Sequence, residues 1–487
     1  MVGPGWFTKQ HQVWTSVMDQ MARGADFLQL DPASAPARGL TSWLVDALRS
    51  AIADGRLPPG VRLPATRTLA GELAVSRGVV VEAYRRLADE GLVSGRTGGG
   101  TRVLARPVRP PRRARTAAPL DRPRLPRSRL PTGEGIDLSP GVPDLSAFPR
   151  STWLRAERAV LSETAPEDLG YGDPRGHPRL RAALAPWLGR TRGLRVDPDD
   201  ILVVAGVAQA VALLAQQLRR EGLDTIAVED PGSRGAVDEL EYWGLRAMPV
   251  PVDDEGIQVQ SLGETGAAAV FLTPAHQFPT GVVLGPRRRR ELLAWDGELV
   301  IEDDYDAEYR YDRAPVPALH PSAPERIAYA GSTSKTLAPA LRLGWLVAPR
   351  RRHPDLVAAK HATDLGSPTV PQLVLARLLE SGEYDRHIRL VRARHRARRD
   401  ALLETLATAL PAARVTGVAA GLHLLVTLLA DVDDVALADE LRRAGVLVHP
   451  LSWHRRTPGP PGLVLGYASH SPDRLREAGS IIARIAE

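Results

Sequence analysis

Arg326-Ile327-Ala328-Tyr329-Ala330-Gly331-Ser332-Thr333-Ser334-Lys335, closed by Arg342-Leu343-Gly344-Trp345-Leu346-Val347, is the stretch on which the reading of this chain turns. The apolar runs 326–330 and 344–347 predict two short strands. Lys335 then sits just past the first strand, beside hydroxyls, with Arg342 seven residues on. A lysine so placed can form an imine with an aldehyde cofactor, while Ser332 and Arg342 can hold a phosphate dianion. A lysine after Ser-x-Ser is ordinarily a surface lysine, so the weight falls on what surrounds it.

Upstream, Ile301-Glu302-Asp303-Asp304-Tyr305 puts carboxylates at the end of another predicted strand. Pyridoxal phosphate (PLP) needs such a group to keep its ring nitrogen protonated, and the Tyr305 phenol can bond its 3′ oxygen. Gly206-Val207-Ala208 precedes a helix whose free N–H groups and dipole suit a phosphate. Apolar runs at 201–205, 225–229, 268–273, 299–303, 326–330 and 344–347 alternate with helical stretches such as 209–220 and 234–242. That alternation predicts an α/β layer domain with a mostly parallel sheet. The last hundred residues hold a long helix, about 384–409, then strands and helices of a smaller α+β lobe. Its seven arginines between Arg386 and Arg399 are expected on a solvated face.

The N-terminal quarter follows a different pattern. Leu44, Ala47, Leu48, Ala51 and Ile52 recur at helical spacing, and Gly55 with Pro58-Pro59-Gly60 stops that helix. A short helix follows at 66–74, and Ser76 can cap a third carrying Val79, Val80, Ala83 and Leu87. Leu92-Val93 and Arg102-Val103-Leu104 flank Gly98-Gly99-Gly100 as a hairpin. Three small helices and a hairpin make a winged helix-turn-helix. Such modules insert the start of the third helix in the major groove of double-stranded DNA, which nominates Ser76, Arg77, Gly78 and Tyr84. Arg67 opens the second helix, and Arg96, Gly99 and Thr101 form the wing. The expected organisation is an extension at 1–37, the winged helix at 38–105, a linker at 106–134 and the large domain at 135–487. Residues 106–131 hold nine arginines, seven prolines and one acid, which suits a semi-rigid linker.

Composition narrows the classes further. The 487 residues are 44% hydrophobic and contain no cysteine, which removes disulfides, thiolate metal sites and cysteine nucleophiles. No metal site is expected. No run of eighteen apolar residues occurs and the start lacks the order of a secretory signal, so a cytoplasmic protein without a membrane span is expected. Residues 1–131 hold 21 Lys/Arg against 10 Asp/Glu, and the remainder 42 against 47. A basic first quarter on a mildly acidic body suggests a polyanion-binding module. Of 63 basic residues only Lys9, Lys335 and Lys360 are lysines. A lysine kept in so arginine-rich a chain points to chemistry that a guanidinium cannot perform.

These motifs together resemble a known family. Leu57-Pro58-Pro59-Gly60-Val61-Arg62-Leu63-Pro64, Ser76-Arg77, Ala83-Tyr84 and Glu90-Gly91 look like the GntR-type winged helix. Tyr171-Gly172-Asp173-Pro174-Arg175-Gly176, the stretch from Thr273 to Gly281, Glu302-Asp303-Asp304-Tyr305-Asp306 and the segment from Ser332 to Gly344 look like fold-type I aminotransferases. The fusion resembles the MocR subfamily of GntR regulators over about residues 38–480, some members being of the pyridoxine-biosynthesis (PdxR) type. The resemblance implies that Lys335 carries the cofactor, Asp303 partners its ring nitrogen, Tyr305 faces the 3′ oxygen, and Ser332 and Arg342 bind phosphate. It also implies that Tyr171 reaches the phosphate of a neighbouring subunit, in a homodimer swapped head to tail.

Several positions depart from the pattern. Ser233 stands where an aromatic residue usually stacks on the ring, Phe278 where an asparagine meets the 3′ oxygen, and Ala208 where a glutamine is common. Val464 replaces the arginine that grips a substrate α-carboxylate, the nearest upstream arginines being Arg455 and Arg456. Gly78 replaces a frequent threonine of the recognition helix. Three readings stand: a transcription factor responsive to PLP or a PLP–amine adduct, serving vitamin B6, amino-acid or amine metabolism; a working aminotransferase with an accessory DNA module; and a DNA-binding protein whose body only dimerises. Val464 and Ser233 weigh against the second, and the intact Lys335, Asp303 and Arg342 set weighs against the third.

Overall fold

The apolar spacing of the first helix has its expected consequence: Leu44, Leu48 and Ile52 meet Leu69, Val80, Leu87 and Val103 in one small core. That core is built by α1 (Leu40–Ala53), α2 (Thr66–Glu72), α3 (Arg77–Asp89) and an antiparallel ribbon of β1 (Val93–Arg96) and β2 (Gly100–Val103). The winged helix-turn-helix is therefore present. A computed structural model describes residues 39–96, 100–104, 135–312, 316–411, 413–417, 419–428 and 432–486. These fall into two units, one within residues 1–124 and the other within 125–487. The extension 1–37, the linker 106–134 and Gly99 lie outside the described residues.

Two expectations for the third helix are corrected. Ser76 occupies the N-cap of α3 but makes no capping hydrogen bond with its side chain. Tyr84 is 6% exposed and its hydroxyl donates to the Pro64 carbonyl at 2.9 Å. Its ring fills the core and fastens α3, so it is not available to read DNA.

The second unit begins with β3 (Ile136–Asp137), α4 (Arg150–Glu163) and α5 (Pro178–Arg192). Then come β4 (Ile201–Val204), α6 (Val207–Arg220), β5 (Thr225–Asp230), α7 (Arg234–Tyr242), β6 (Arg246–Asp253), β7 (Gly256–Ile257), β8 (Ala269–Leu272), α8 (Pro286–Ala294), β9 (Leu299–Asp304), β10 (Ile327–Ser332) and β11 (Gly344–Val347). Eight strands make one sheet in the order β4-β11-β10-β9-β8-β5-β6-β7. The run from β10 to β6 is parallel, whereas β11 runs against both neighbours. Strand β6 was not expected, because Pro249 and Pro251 interrupt its apolar pattern. Alternation along β4 shows how both faces are covered: Leu202 and Val204 pack on Val211, Leu214 and Leu218 of α6, and Ile201 and Val203 on Leu184, Trp187 and Leu188 of α5.

Helices α9 (His353–Asp364), α10 (Thr369–Glu380) and α11 (Glu383–Ala409) lead to the smaller lobe. There β12 (Arg414–Thr416), β13 (His423–Thr427), α12 (Asp434–Arg443), β14 (Val446–Leu447), β15 (His449–Pro450), β16 (Gly462–Gly466) and α13 (Pro472–Ala486) follow. Its sheet has the order β12-β13-β16-β15, and β14 pairs with β3. The solvated face expected of α11 holds for Arg386, Arg389, Arg394 and Arg396. Arg398 is an exception: it is buried, 2.7 Å from Asp144, and donates to the Ala468 carbonyl.

Candidate functional site

Strand register gathers the chemistry-bearing residues. Ala330 on β10 lies opposite Asp303 on β9, Ser332 opposite Gly344 on β11, and Gly344 opposite Val204 on β4. Three loops thus leave the sheet side by side, at the carboxyl ends of β4, β9 and β10, where α/β sheets bind ligands. Because β11 is reversed, Arg342 just before it returns to the same edge. A Cβ on Gly344 would stand 2.9 Å from the Gly206 Cα, so only glycine permits this approach. Between the loops lies a cavity of about 300 Å³ lined by Val207, Ala208, Ser233, Phe278, Asp303, Tyr305, Ser332, Lys335 and Arg342, with Pro140, Gly141, Thr273 and Ser334.

Lys335 follows β10 in a turn pinned by the Leu337 N–H on the Thr333 carbonyl and by the Tyr309 hydroxyl on its own carbonyl. Its Nζ donates to the Gly141 carbonyl at 2.5 Å. Burial pushes the amine pKa down, with Asp303 and Asp306 opposing. A lowered pKa favours the neutral amine that an imine-forming lysine requires.

Asp303 is pushed up to about 8 by burial and then by Asp304, with Lys335 acting against them. Its buried Oδ1 has no hydrogen-bond partner among the described residues. Buried acceptors without donors are costly and rare. An N–H cation at that oxygen would relieve the cost, so the residues fit a pyridinium ring.

The Tyr305 hydroxyl lies 3.1 Å from His276 Nδ1, which is itself 3.0 Å from Asp306 Oδ2. Burial, then the charges of Asp306 and Asp303, raises the phenol pKa and keeps the hydroxyl protonated. His276, Asp306 and His423 gather ligand-type atoms within 4.8 Å of one another. Hydrogen bonds account for that cluster, since His423 Nε2 lies 3.2 Å from the Pro279 carbonyl.

At the other end, Val207 and Ala208 open α6 behind Gly206, which has φ 96° and caps the helix with no side chain. The N–H groups of Val207 and Ala208 precede the first bond to the Gly206 carbonyl, made by Gln209, and lack intrahelical partners. The Arg342 guanidinium comes within 3.4 Å of where a Gly206 Cβ would stand. The Ser332 hydroxyl, the Arg342 guanidinium and a helix N-terminus lining one small cavity suit a phosphate dianion.

Tyr171 is not brought to this cavity by its own chain. It is 91% exposed and lines a separate groove with Asp173, Asp364 and Gly366. Ser233 does line the cavity, and its Oγ accepts the Ala236 N–H to cap α7. Val464 is fully buried in a cluster with Leu425 and Leu451, against which Phe278 packs. Arg456 is paired with Glu241 at 2.8 Å. Arg342 is the one arginine among the cavity's lining residues, and it sits beside Gly206 at the start of α6. Pro140 and Gly141 carried no signal in the sequence. They arrive through the pairing of β3 with β14 and the bond from the Gly466 N–H to the Leu138 carbonyl.

In the N-terminal unit, Arg67 at the start of α2 and Ser76, Arg77 and Gly78 at the start of α3 are exposed. Thr101 is partly buried on β2, and the Arg96 backbone pairs with Gly100.

Residues 134–482 match the model of aminotransferases class I and II, and residues 40–103 that of bacterial regulatory proteins of the gntR family. The chain is 32% identical over 456 residues to the probable rhizopine catabolism regulatory protein MocR of Rhizobium meliloti, covering 89% of this chain and 91% of that protein. It is 33% identical over 457 residues to the HTH-type pyridoxine biosynthesis transcriptional regulator PdxR of Corynebacterium glutamicum, covering 92% and 94%. Among solved structures it is similar to the multiple substrate aminotransferase of Thermococcus profundus, with TM-score 0.67, 29% identity, and 73% of this chain and 92% of that one covered. The chain therefore belongs to the MocR group of gntR-family regulators, a winged helix joined to an aminotransferase class I and II body.

Proposed function

We propose that this chain is a DNA-binding transcriptional regulator whose aminotransferase-like body takes PLP as effector or sensor cofactor. The observation that carries the reading is the unpartnered Asp303 Oδ1 in the cavity that Lys335 also lines. PLP supplies an aldehyde and an electron-poor ring when bound. The Lys335 amine would hold the aldehyde carbon, Asp303 the proton on the ring nitrogen, and Tyr305 the 3′ oxygen. Ser332, Arg342 and the backbone of Val207 and Ala208 would hold the phosphate.

The same reading extends to assembly and target. Tyr171, exposed in its own chain, would complete the phosphate site of a second copy in a head-to-tail, domain-swapped homodimer. The winged helix, within proposed bounds 38–105, would bind a double-stranded operator through Arg67, Arg77 and the wing, in the cytoplasm. The linker 106–134 would join it to the body, 135–487. No helix among the described residues is long and apolar enough to cross a membrane. The likeness to PdxR supports PLP itself as effector and vitamin B6 synthesis as the regulated pathway, with PLP–amine adducts and amine metabolism as the broader class.

A working aminotransferase is the second reading, favoured by the Lys335 and Asp303 pair. Val464 weighs against it. An α-carboxylate beside the ring needs a bidentate cation, and a buried valine in an apolar cluster offers none. The deciding experiment is DNA binding to the gene's own upstream region with and without PLP and candidate amines. A PLP-dependent change of the complex supports the regulator. Steady turnover of amino and keto acids without any such change overturns it.

A further inference from the structure

Among the described residues Lys335 and Lys360 are the only lysines. Lys360 is 0% exposed on α9, and its Nζ lies 2.7 Å from both carboxylate oxygens of Asp364. Asp364 Oδ2 accepts the Gln209 amide Nε2–H at 2.7 Å. Gln209 Oε1 in turn accepts the Ala205 N–H at 2.8 Å. Ala205 and Gly206 form the turn from β4 into α6, and that turn sets where the N–H groups of Val207 and Ala208 begin. We infer that Lys360, acting through Asp364 and Gln209, is a positioning residue for the phosphate end of the cofactor site. The inference rests on the PLP reading above.

The chemistry of the relay fixes its direction. The Gln209 amide must offer its oxygen to the Ala205 N–H and its NH₂ to the carboxylate, so only an ionised Asp364 orients it fully. Burial works against that ionisation, and hydrogen bonds from Lys360 and Gln209 hold the Asp364 carboxyl below the usual range. A compact ammonium leaves fewer donors to satisfy in the enclosed position than a planar guanidinium with five. A buried ion pair is weak evidence of net stability, so its effect is sought in what it orients. Asp364 Oδ1 also accepts the Gly366 N–H at 3.0 Å. Gly366 has φ 118°, and a Cβ there would stand 3.6 Å from the Pro174 Cα and 3.7 Å from the Asp173 carbonyl oxygen, close in sequence to Tyr171. One carboxylate thus shapes both the α6 turn and the turn beside Tyr171.

Pyridoxal, which has the ring and aldehyde of PLP but no phosphate, separates positioning from a general structural role. Borohydride-trapped adducts are titrated with PLP and with pyridoxal for the full-length wild type, Lys360→Met and Gln209→Met, with thermal melts as a check on folding. Loss of one charge-assisted contact predicts that both variants lose about tenfold in affinity for PLP, while their affinity for pyridoxal stays within about twofold of wild type. Wild-type preference for PLP in both variants, or an equal loss for the two aldehydes, overturns the inference while leaving the cofactor reading intact. Should Lys360→Met fail to fold, Gln209→Met decides alone, since it leaves the ion pair in place. A wild type that traps neither aldehyde refutes the cofactor reading, and the inference falls with it.

Discussion

Lys335 Nζ donates to the carbonyl of Gly141, 194 residues earlier, at 2.5 Å. This bond joins the loop after β10 to a segment tethered to the smaller lobe, and it aims the amine into the cavity. Gly141 has φ 84°, and a Cβ there would stand 3.2 Å from Nζ.

From that relationship, Lys335→Ala and Lys335→Arg are both expected to lose the borohydride-trappable PLP adduct, because a guanidinium forms no imine. Mass spectrometry of the reduced protein reads the outcome. A full-stoichiometry adduct in either variant would refute the assignment of Lys335.

Asp303 predicts a pH dependence for the ligand-free protein. Its carboxyl is raised from 3.8 to about 8 when folded, so the folded state binds the extra proton between those values. Stability is then fully present at low pH and lost as pH rises through about 8. Burial pushes Glu229, Glu302 and Glu308 up to about 7, in the same direction. Above pH 7 buried His320, His423 and His454 and the partly buried His449, whose pKa values desolvation lowers, are mostly neutral in both states. Melting temperature should therefore fall between about pH 6 and about pH 8, the lowered Lys335 amine opposing the fall toward higher pH, and Asp303→Asn should fall less steeply. A profile for Asp303→Asn parallel to wild type would show that Asp303 is ionised in the ligand-free fold.

Arg67→Ala and Arg77→Ala should weaken operator binding and reduce its salt dependence, each phosphate contact contributing about one unit of slope. The PLP adduct should be unchanged in both. Tyr84→Phe deletes the bond to the Pro64 carbonyl and should cost the winged helix ~1 kcal/mol of stability. Fluorescence anisotropy at several salt concentrations, with denaturant melts, separates these effects.

Val464 predicts weak amino-acid binding. A carboxylate left unpaired beside Val464 and Phe278 loses on the order of several kcal/mol. PLP-loaded protein titrated with a panel of amino acids should show little spectral change at sub-millimolar concentration, and overall transamination should be slow or absent. PLP alone should alter the DNA complex. A prompt, saturable shift with an ordinary amino acid would mean that a cation such as Arg455 completes the site.

Element types and their order were legible from the sequence. Helical spacing from Leu44 to Ile52, the six apolar runs of the large domain and the helix ending at Ala409 are local patterns, fixed by 3.6- and 2-residue periodicities. Asp303, Tyr305, Ser332, Lys335, Val207 and Ala208 were legible because they lie at or just past the carboxyl ends of strands, which a parallel sheet brings to one edge, and Arg342 because it precedes the reversed β11. They line one cavity. Strand β6 is not legible in the sequence because its prolines break the periodic signal.

What only the tertiary structure decided depends on contacts between distant segments. Tyr84 became a core residue because the Pro64 carbonyl lies within reach of its hydroxyl. Arg398 left the solvated face of α11 because Asp144 approaches from 254 positions earlier in the chain. Gly141 meets Lys335 only because β3 pairs with β14, and Lys360 reaches the α6 turn only through Asp364 and Gln209. Periodicity records which face a residue takes, not which distant residue it meets there. A local pattern thus fixed the elements, and long-range packing chose the partners that tune the site.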